Sequence, residues 1–273
     1  MIAAPLLALL TLAPLSQEGE AQAAVADPYG RWLGTIGELA EPSAVAVDAE
    51  GQVWIAEAFA DRVRAFDRDG REVVSIGRTG SGPGELLSPG GIAIAADGTV
   101  YVSDSGNHRI QRFSPEGEPL GTFGEWSPLL QELPADGGSL NEPLGLAIAE
   151  GRLYVADSRH HRIAVFTLEG ELAASIGRRG REPGRFERPT AVAVDGEGFL
   201  YVADSGNHRV QKLDGEGRCV RAWGELGPWL GFFSDPTGIA WRDGRVYVAD
   251  RDNHRVQVFT SDGELLYDFG VHA

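Results

Sequence analysis

The chain has 273 residues, 42% of them hydrophobic, with 37 Gly, 15 Pro, one Cys and one Met. That is enough apolar material for one large domain or two ordinary ones and excludes wholesale disorder, while the single cysteine excludes an internal disulfide framework or a multi-cysteine metal site. Lys and Arg total 24 against 40 Asp and Glu, a formal charge of −16, which repels phosphate backbones and argues against nucleic-acid binding.

Residues Ile2 to Leu15 form an apolar run broken by Thr11 and two prolines, and the polar stretch Gln17-Glu18-Gly19-Glu20 follows. The run is too short to serve as a membrane span. Ala21-Gln22-Ala23 then supplies an A-x-A-type cleavage pattern, so residues 1–23 are predicted to be a secretory signal peptide cut after Ala23. Residues 24–30 are a short linker, and 31–273 form one domain. The expected location is exported, periplasmic or extracellular, with no lipoprotein anchor and no membrane span.

Internal repetition governs everything after residue 30. Five units open on Pro42, Pro89, Pro143, Pro189 and Pro236, at spacings of 46 to 54 residues. Each carries four short apolar runs, A to D. In the second unit these are Gly91-Ile92-Ala93-Ile94, Val100-Tyr101-Val102-Ser103-Asp104, Arg109-Ile110-Gln111-Arg112-Phe113 and a run ending Thr122-Phe123-Gly124. Turns such as Asp97-Gly98, Ser105-Gly106-Asn107-His108 and Ser114-Pro115-Glu116-Gly117 separate them. Short runs rich in β-branched and aromatic residues between such turns predict a four-stranded antiparallel meander, and five of these predict a β-propeller. The nearly all-apolar Ile163-Ala164-Val165-Phe166 agrees, because a blade between two others buries both faces of its sheet.

The strings Tyr101–Phe113 and Tyr201–Leu213, each containing Asp-Ser-Gly-Asn-His-Arg, closely resemble the NHL repeat, and the resemblance extends over about residues 31–270. It implies an all-β propeller of NHL-type four-stranded blades, usually six, and no single function. D-type runs number six, counting Trp32–Gly37, whereas A, B and C runs number five each. The expectation is therefore five complete blades plus an orphan N-terminal strand. These form either a five-bladed ring with a spare strand or a six-blade-type arc, and similarity to repeats that suit sixfold closure favours the arc.

An acid ends run B and an arginine starts run C in every unit: Glu57 and Arg62, Asp104 and Arg109, Asp157 and Arg162, Asp204 and Arg209, Asp250 and Arg255. A feature present in all five blades is explained by blade architecture, so these are predicted to be structural turn pairs. His108, His161, His208 and His254 recur at one turn position, and equivalent positions around a propeller stand too far apart to share a zinc ion, whose ligands must approach to about 2.0–2.1 Å. The A runs that line the axis hold no histidine. No metal, no cofactor and no catalytic residue is predicted, and Cys219 is expected to act as a small hydrophobe.

Residues that break the repeat are the candidates for binding. By strand parity the B–C turns and D–A loops share one face, while the opposite face has short hairpins such as Asp97-Gly98 and Asp262-Gly263. The long-loop face holds Trp126 in the insertion Glu125–Glu142, and Trp229, Phe232 and Phe233 in Glu225–Asp235. It also holds Phe59 and Asp61 in the first B–C turn, Arg159 and His160 in the third, and Arg185 within the basic stretch Arg178, Arg179, Arg181, Arg185 and Arg188. The favoured function is a non-enzymatic binding or scaffold propeller that recognises a protein, peptide or glycan on this face. The alternative is a propeller lyase or lactone hydrolase with a metal at the ring axis, which would need His, Glu or Asp from several A runs.

Overall fold

Val, Ile, Ala and Tyr set between Gly- and Asp-containing turns give the chain no sustained helical period, and it folds as strands. The computed structural model describes residues 36, 38–124 and 138–270. The predicted signal peptide, most of the orphan run Trp32–Gly37 and Trp126 lie outside these residues.

The first blade is β1 (Pro42–Val47), β2 (Val53–Glu57), β3 (Arg62–Phe66) and β4 (Glu72–Ile76). The second is β5 (Pro89–Ile94), β6 (Val100–Asp104), β7 (Arg109–Phe113) and β8 (Pro119–Phe123). The third is β9 (Pro143–Ala149), β10 (Arg152–Asp157), β11 (Arg162–Thr167) and β12 (Leu172–Ile176). The fourth is β13 (Pro189–Val194), β14 (Leu200–Asp204), β15 (Arg209–Leu213) and β16 (Cys219–Trp223). The fifth is β17 (Pro236–Arg242), β18 (Arg245–Asp250), β19 (Arg255–Thr260) and β20 (Leu265–Gly270). Each is a separate four-stranded sheet in meander order, antiparallel throughout, so the described residues form an all-β, five-bladed propeller.

Residues paired across a ladder share a face, and each sheet presents one apolar face to either neighbour. Ile92, Val100, Val102 and Phe113 of the second blade pack on Trp54, Ala56 and Val63 of the first. On the opposite face, Ala93, Tyr101 and Ile110 meet Leu153, Val155 and Phe166 of the third. The same arrangement joins the third blade to the fourth and the fourth to the fifth. Strands β2, β6 and β14 are consequently buried along their whole length, which is why the alternation expected of a half-exposed strand is missing there. Each fully buried Phe, such as Phe113, Phe166 or Phe259, contributes about 1.5–3 kcal/mol over the exposed side chain.

Packing between the innermost strands runs from β1 to β5, β9, β13 and β17. No strand pair between the fifth and first blades packs comparably among the described residues. The first blade's other face, Val53, Ile55 and Phe66, is instead joined by Ile36 and Leu39.

Candidate functional site

Every B strand ends on a carboxylate with no exposed surface: Glu57, Asp104, Asp157, Asp204 and Asp250. The register sets each directly opposite the arginine that opens strand C, as the repeat implied. In the fourth blade Asp204 Oδ2 accepts from Arg209 Nε at 2.8 Å, Gln211 Nε2 at 3.0 Å and Asn207 Nδ2 at 2.9 Å. Its Oδ1 accepts the Glu187 backbone N–H at 2.7 Å, tying the turn to the loop that enters the blade. Asp104 and Asp250 repeat the pattern through Arg109, Gln111, Asn107 and the Leu87 N–H, and through Arg255, Gln257, Asn253 and the Ser234 N–H. Such a carboxylate has its oxygens committed to donors that tie the turn to strand C and to the incoming loop.

The first and third blades solve the same problem with different residues. Glu57 accepts from Arg62 at 2.8 Å, from Arg64 at 2.6 Å and from the Ala40 N–H at 2.6 Å. Burial opposes its ionisation, but the hydrogen bonds from Arg64, Arg62 and Ala40 outweigh it and hold the carboxyl below its ordinary value. In the third blade His160 Nδ1 lies 2.9 Å from Asp157 Oδ2, the place that Asn107 and Asn207 fill elsewhere. His160 thereby joins the hydrogen-bond network of the turn, with its ring only partly exposed. Arg159 beside it is exposed and paired with Glu142.

The last residue of the B–C turn adopts the left-handed backbone, at φ 50° for Asp61, 55° for His108 and 56° for His161. Asp and His enter this region more readily than most side chains. From there the side chain reaches the next blade. His108 Nδ1 accepts the Glu142 N–H at 3.0 Å and His161 Nδ1 accepts the Arg188 N–H at 3.0 Å. Asp61 Oδ1 accepts the Ser88 N–H at 2.7 Å, and its Oδ2 accepts the Thr79 hydroxyl at 2.7 Å. Asp61, expected to bind ligand because it breaks the histidine pattern, is thus the same inter-blade latch made with a carboxylate. Burial holds the imidazoles of His108 and His161 below their ordinary value.

The D–A connections 77–89, 177–189 and 224–236 align residue for residue, each running from Gly to Pro. At one aligned position stand Leu86, Phe186 and Phe233, all with no exposed surface. Phe233 packs with Val246, Val248 and Phe259, its ring 5.7 Å from that of Phe259. It is a wedge between the fourth and fifth blades, which corrects its assignment to a binding surface. Aligning the loops to one another is the sequence signal that distinguishes it from its neighbours.

Beside the exposed Glu225, the third of these loops exposes large apolar side chains: Leu226 is 63% exposed, Trp229 68% and Leu230 54%. Phe232 lies edge-on to Trp229 at 5.7 Å. The backbone beneath is fixed by the fifth blade. Arg255 Nη2 donates to the carbonyls of Trp229 at 2.6 Å and Phe232 at 3.0 Å, and the Gly231 N–H donates to Gln257 Oε1 at 2.7 Å. Phe59, 77% exposed, stands separately on the first blade's B–C turn. Arg185 turns toward a cleft at the outer edge of the propeller. Near the axis on the opposite face, Val47, Ile94, Ile148, Asp48 and Glu150 border a cavity of about 450 Å³. Among the described residues no three His, Cys, Asp or Glu side chains gather where they could hold a metal ion.

The NHL repeat model matches residues 86–113, 140–166, 186–213 and 233–259. No curated protein matches the sequence. Among solved structures, the nidogen/laminin complex is similar at 20% identity with a TM-score of 0.62, covering 85% of this chain and 80% of that one. A catalytically inactive virginiamycin B lyase from Staphylococcus aureus, with quinupristin, is similar at 17% identity and 0.59, covering 85% and 70%. Hydrazine synthase of Kuenenia stuttgartiensis gives 16% and 0.56, covering 85% and 81%. At these identities the likeness is one of fold, shared by an enzyme and by a protein complex alike. Four matched repeats and five meander blades built on the same buried turn pair make this chain a member of the NHL-repeat β-propellers.

Proposed function

We propose that this is an exported, non-enzymatic binding propeller that takes a protein, peptide or glycan partner on its long-loop face. Leu226, Trp229, Leu230 and Phe232 form the apolar centre of the contact, with Phe59, Trp126 and Arg159 as outlying contacts. The observation that supports this reading is an exposed Trp229 on backbone that Arg255 holds in place. Rigid aromatic anchors lose little entropy on binding and are frequent hot spots. Returning most of the Trp229 ring from water to a partner contributes about 3 kcal/mol at roughly 25 cal/mol per Å².

The test is capture of partners from native extract by the wild-type chain and by the Trp229→Ala, Phe232→Ala variant. Loss of captured partners with an unchanged melting curve supports the reading. Undiminished capture by that variant, or equal loss from Asp97→Ala and Asp262→Ala on the opposite face, refutes it. Export is tested separately by N-terminal sequencing, which should begin at Ala24.

A further inference from the structure

The loops 77–89 and 177–189 share one backbone but not one charge. Gly80 and Gly180 have φ 158° and 156°, and Gly84 and Gly184 have 76° and 78°. The Gly80 N–H donates to the Leu86 carbonyl at 3.1 Å and the Gly180 N–H to that of Phe186 at 3.0 Å. The Gly84 N–H donates to Gln111 Oε1 at 3.1 Å and the Gly184 N–H to Gln211 Oε1 at 2.9 Å. Each loop lies against the C–D hairpin of the following blade, Gly84 close to Pro119 and Gly184 close to Cys219.

On this common scaffold two acids have become arginines. Arg185 stands where the first loop has Glu85, and Arg218 stands where the first hairpin has Glu118. In the first loop Glu85 pairs with Arg78 at 3.0 Å. The corresponding Arg178 faces Arg185 at that aligned position and forms no salt bridge among the described residues, although its charge is felt at Glu182. The outcome is a cleft of about 500 Å³ at the outer edge, between the third and fourth blades, bordered by Gly177, Arg178, Gly184, Arg185, Arg218 and Cys219.

Arg218 is tethered by Asp214 at 2.7 Å and Glu216 at 3.0 Å, and Arg185 by Glu182 at 3.3 Å. A guanidinium carries five N–H donors, so these tethers orient the forks and leave donors over. Planar forks match the geometry of carboxylate, sulfate and phosphate oxygens. The chain as a whole is strongly acidic, yet three arginines border this one cleft. We propose that this cleft is an oxyanion-binding site, holding a carboxylate- or sulfate-bearing ligand on Arg178, Arg185 and Arg218. It lies apart from the Trp229 loop and does not depend on the function proposed above.

The chain's one cysteine, Cys219, borders the cleft and reports on its occupancy. The experiment measures the rate at which a neutral disulfide reagent modifies Cys219 in the full chain, titrated with citrate, sulfate or chloride at constant ionic strength. A saturable slowing by citrate or sulfate, absent with chloride, is expected. Slowing by citrate alone assigns carboxylate ligands, by sulfate alone sulfate esters, and by both the shared oxyanion chemistry. Arg185→Glu and Arg218→Glu place in this cleft the residues its sibling already carries, so both should fold, and a melting curve verifies it. Each should raise the half-protecting concentration about tenfold or more, as removal of one charge-assisted contact does. Equal slowing by chloride, no slowing by any anion, or unchanged half-protection in both folded variants overturns the proposal.

Discussion

Replacing Asp204 by Ala tests whether the recurring carboxylate carries the architecture. The variant removes the acceptor of the Arg209, Gln211, Asn207 and Glu187 hydrogen bonds together. Arg209 keeps its bonds to the carbonyls of Arg185 at 2.9 Å and Glu182 at 3.2 Å, so its charge remains in place, with its Nε and the Gln211 amide short of a partner. A neutral hydrogen bond is worth about 1 kcal/mol net, one to a charged group about 1.5–3, and breaking a buried ion pair costs about 3–5. We expect a loss of about 4 kcal/mol, with local hydrogen exchange rising first in β14, β15 and the 177–189 loop. The exposed pair Arg71 and Asp69 is the control, and Arg71→Ala should cost no more than about 0.5 kcal/mol. Urea denaturation measures the difference, and deuterium exchange with mass spectrometry places it. An Asp204→Ala protein within about 1 kcal/mol of wild type would refute the view that the turn carboxylates hold the blades.

Further outcomes follow from the latches and loops. Because burial lowers the folded-state values of His108 and His161, their latches contribute in full above the ordinary imidazole value of 6.5 and weaken as the pH falls through the lowered ones. The urea midpoint should therefore decline as the pH falls below about 6.5, ahead of most carboxylates. The His108→Asp, His161→Asp variant, built like the Asp61 latch, should flatten that decline, and an unchanged slope would remove the latches from the explanation. Phe233→Ala should cost about 3–5 kcal/mol in the same denaturation assay. Trp229→Ala should leave the midpoint within about 0.5 kcal/mol, since its ring gains little from the fold, and the reverse ranking would show the two aromatics to be wrongly placed.

The sequence alone determined the repeat, the strand order within each blade and the turn pairs, because all of these are local. Asp204 and Arg209 flank one short turn, so their antiparallel register follows from the hairpin between them. The long-loop face was legible for the same reason, since strand parity sorts turns to either end of a meander. What the tertiary structure alone decided lies between blades, where spacing along the chain says nothing about which side chain meets which. Trp229 and Phe233 sit in one loop with similar chemistry. Only the packing of the fifth blade on the fourth turns Phe233 into the core and leaves Trp229 in water. Asp61 reads as a departure from the histidine pattern until the N–H of Ser88 comes within its reach. His160 reads as an extra imidazole until it takes the place of a turn asparagine on Asp157. Arg185 and Arg218 belong to different repeats, and nothing along the chain pairs the one with the other. They border one cleft because the third blade's outgoing loop lies on the fourth blade's outer hairpin, a contact set by the stacking of sheets and not by the period of the sequence.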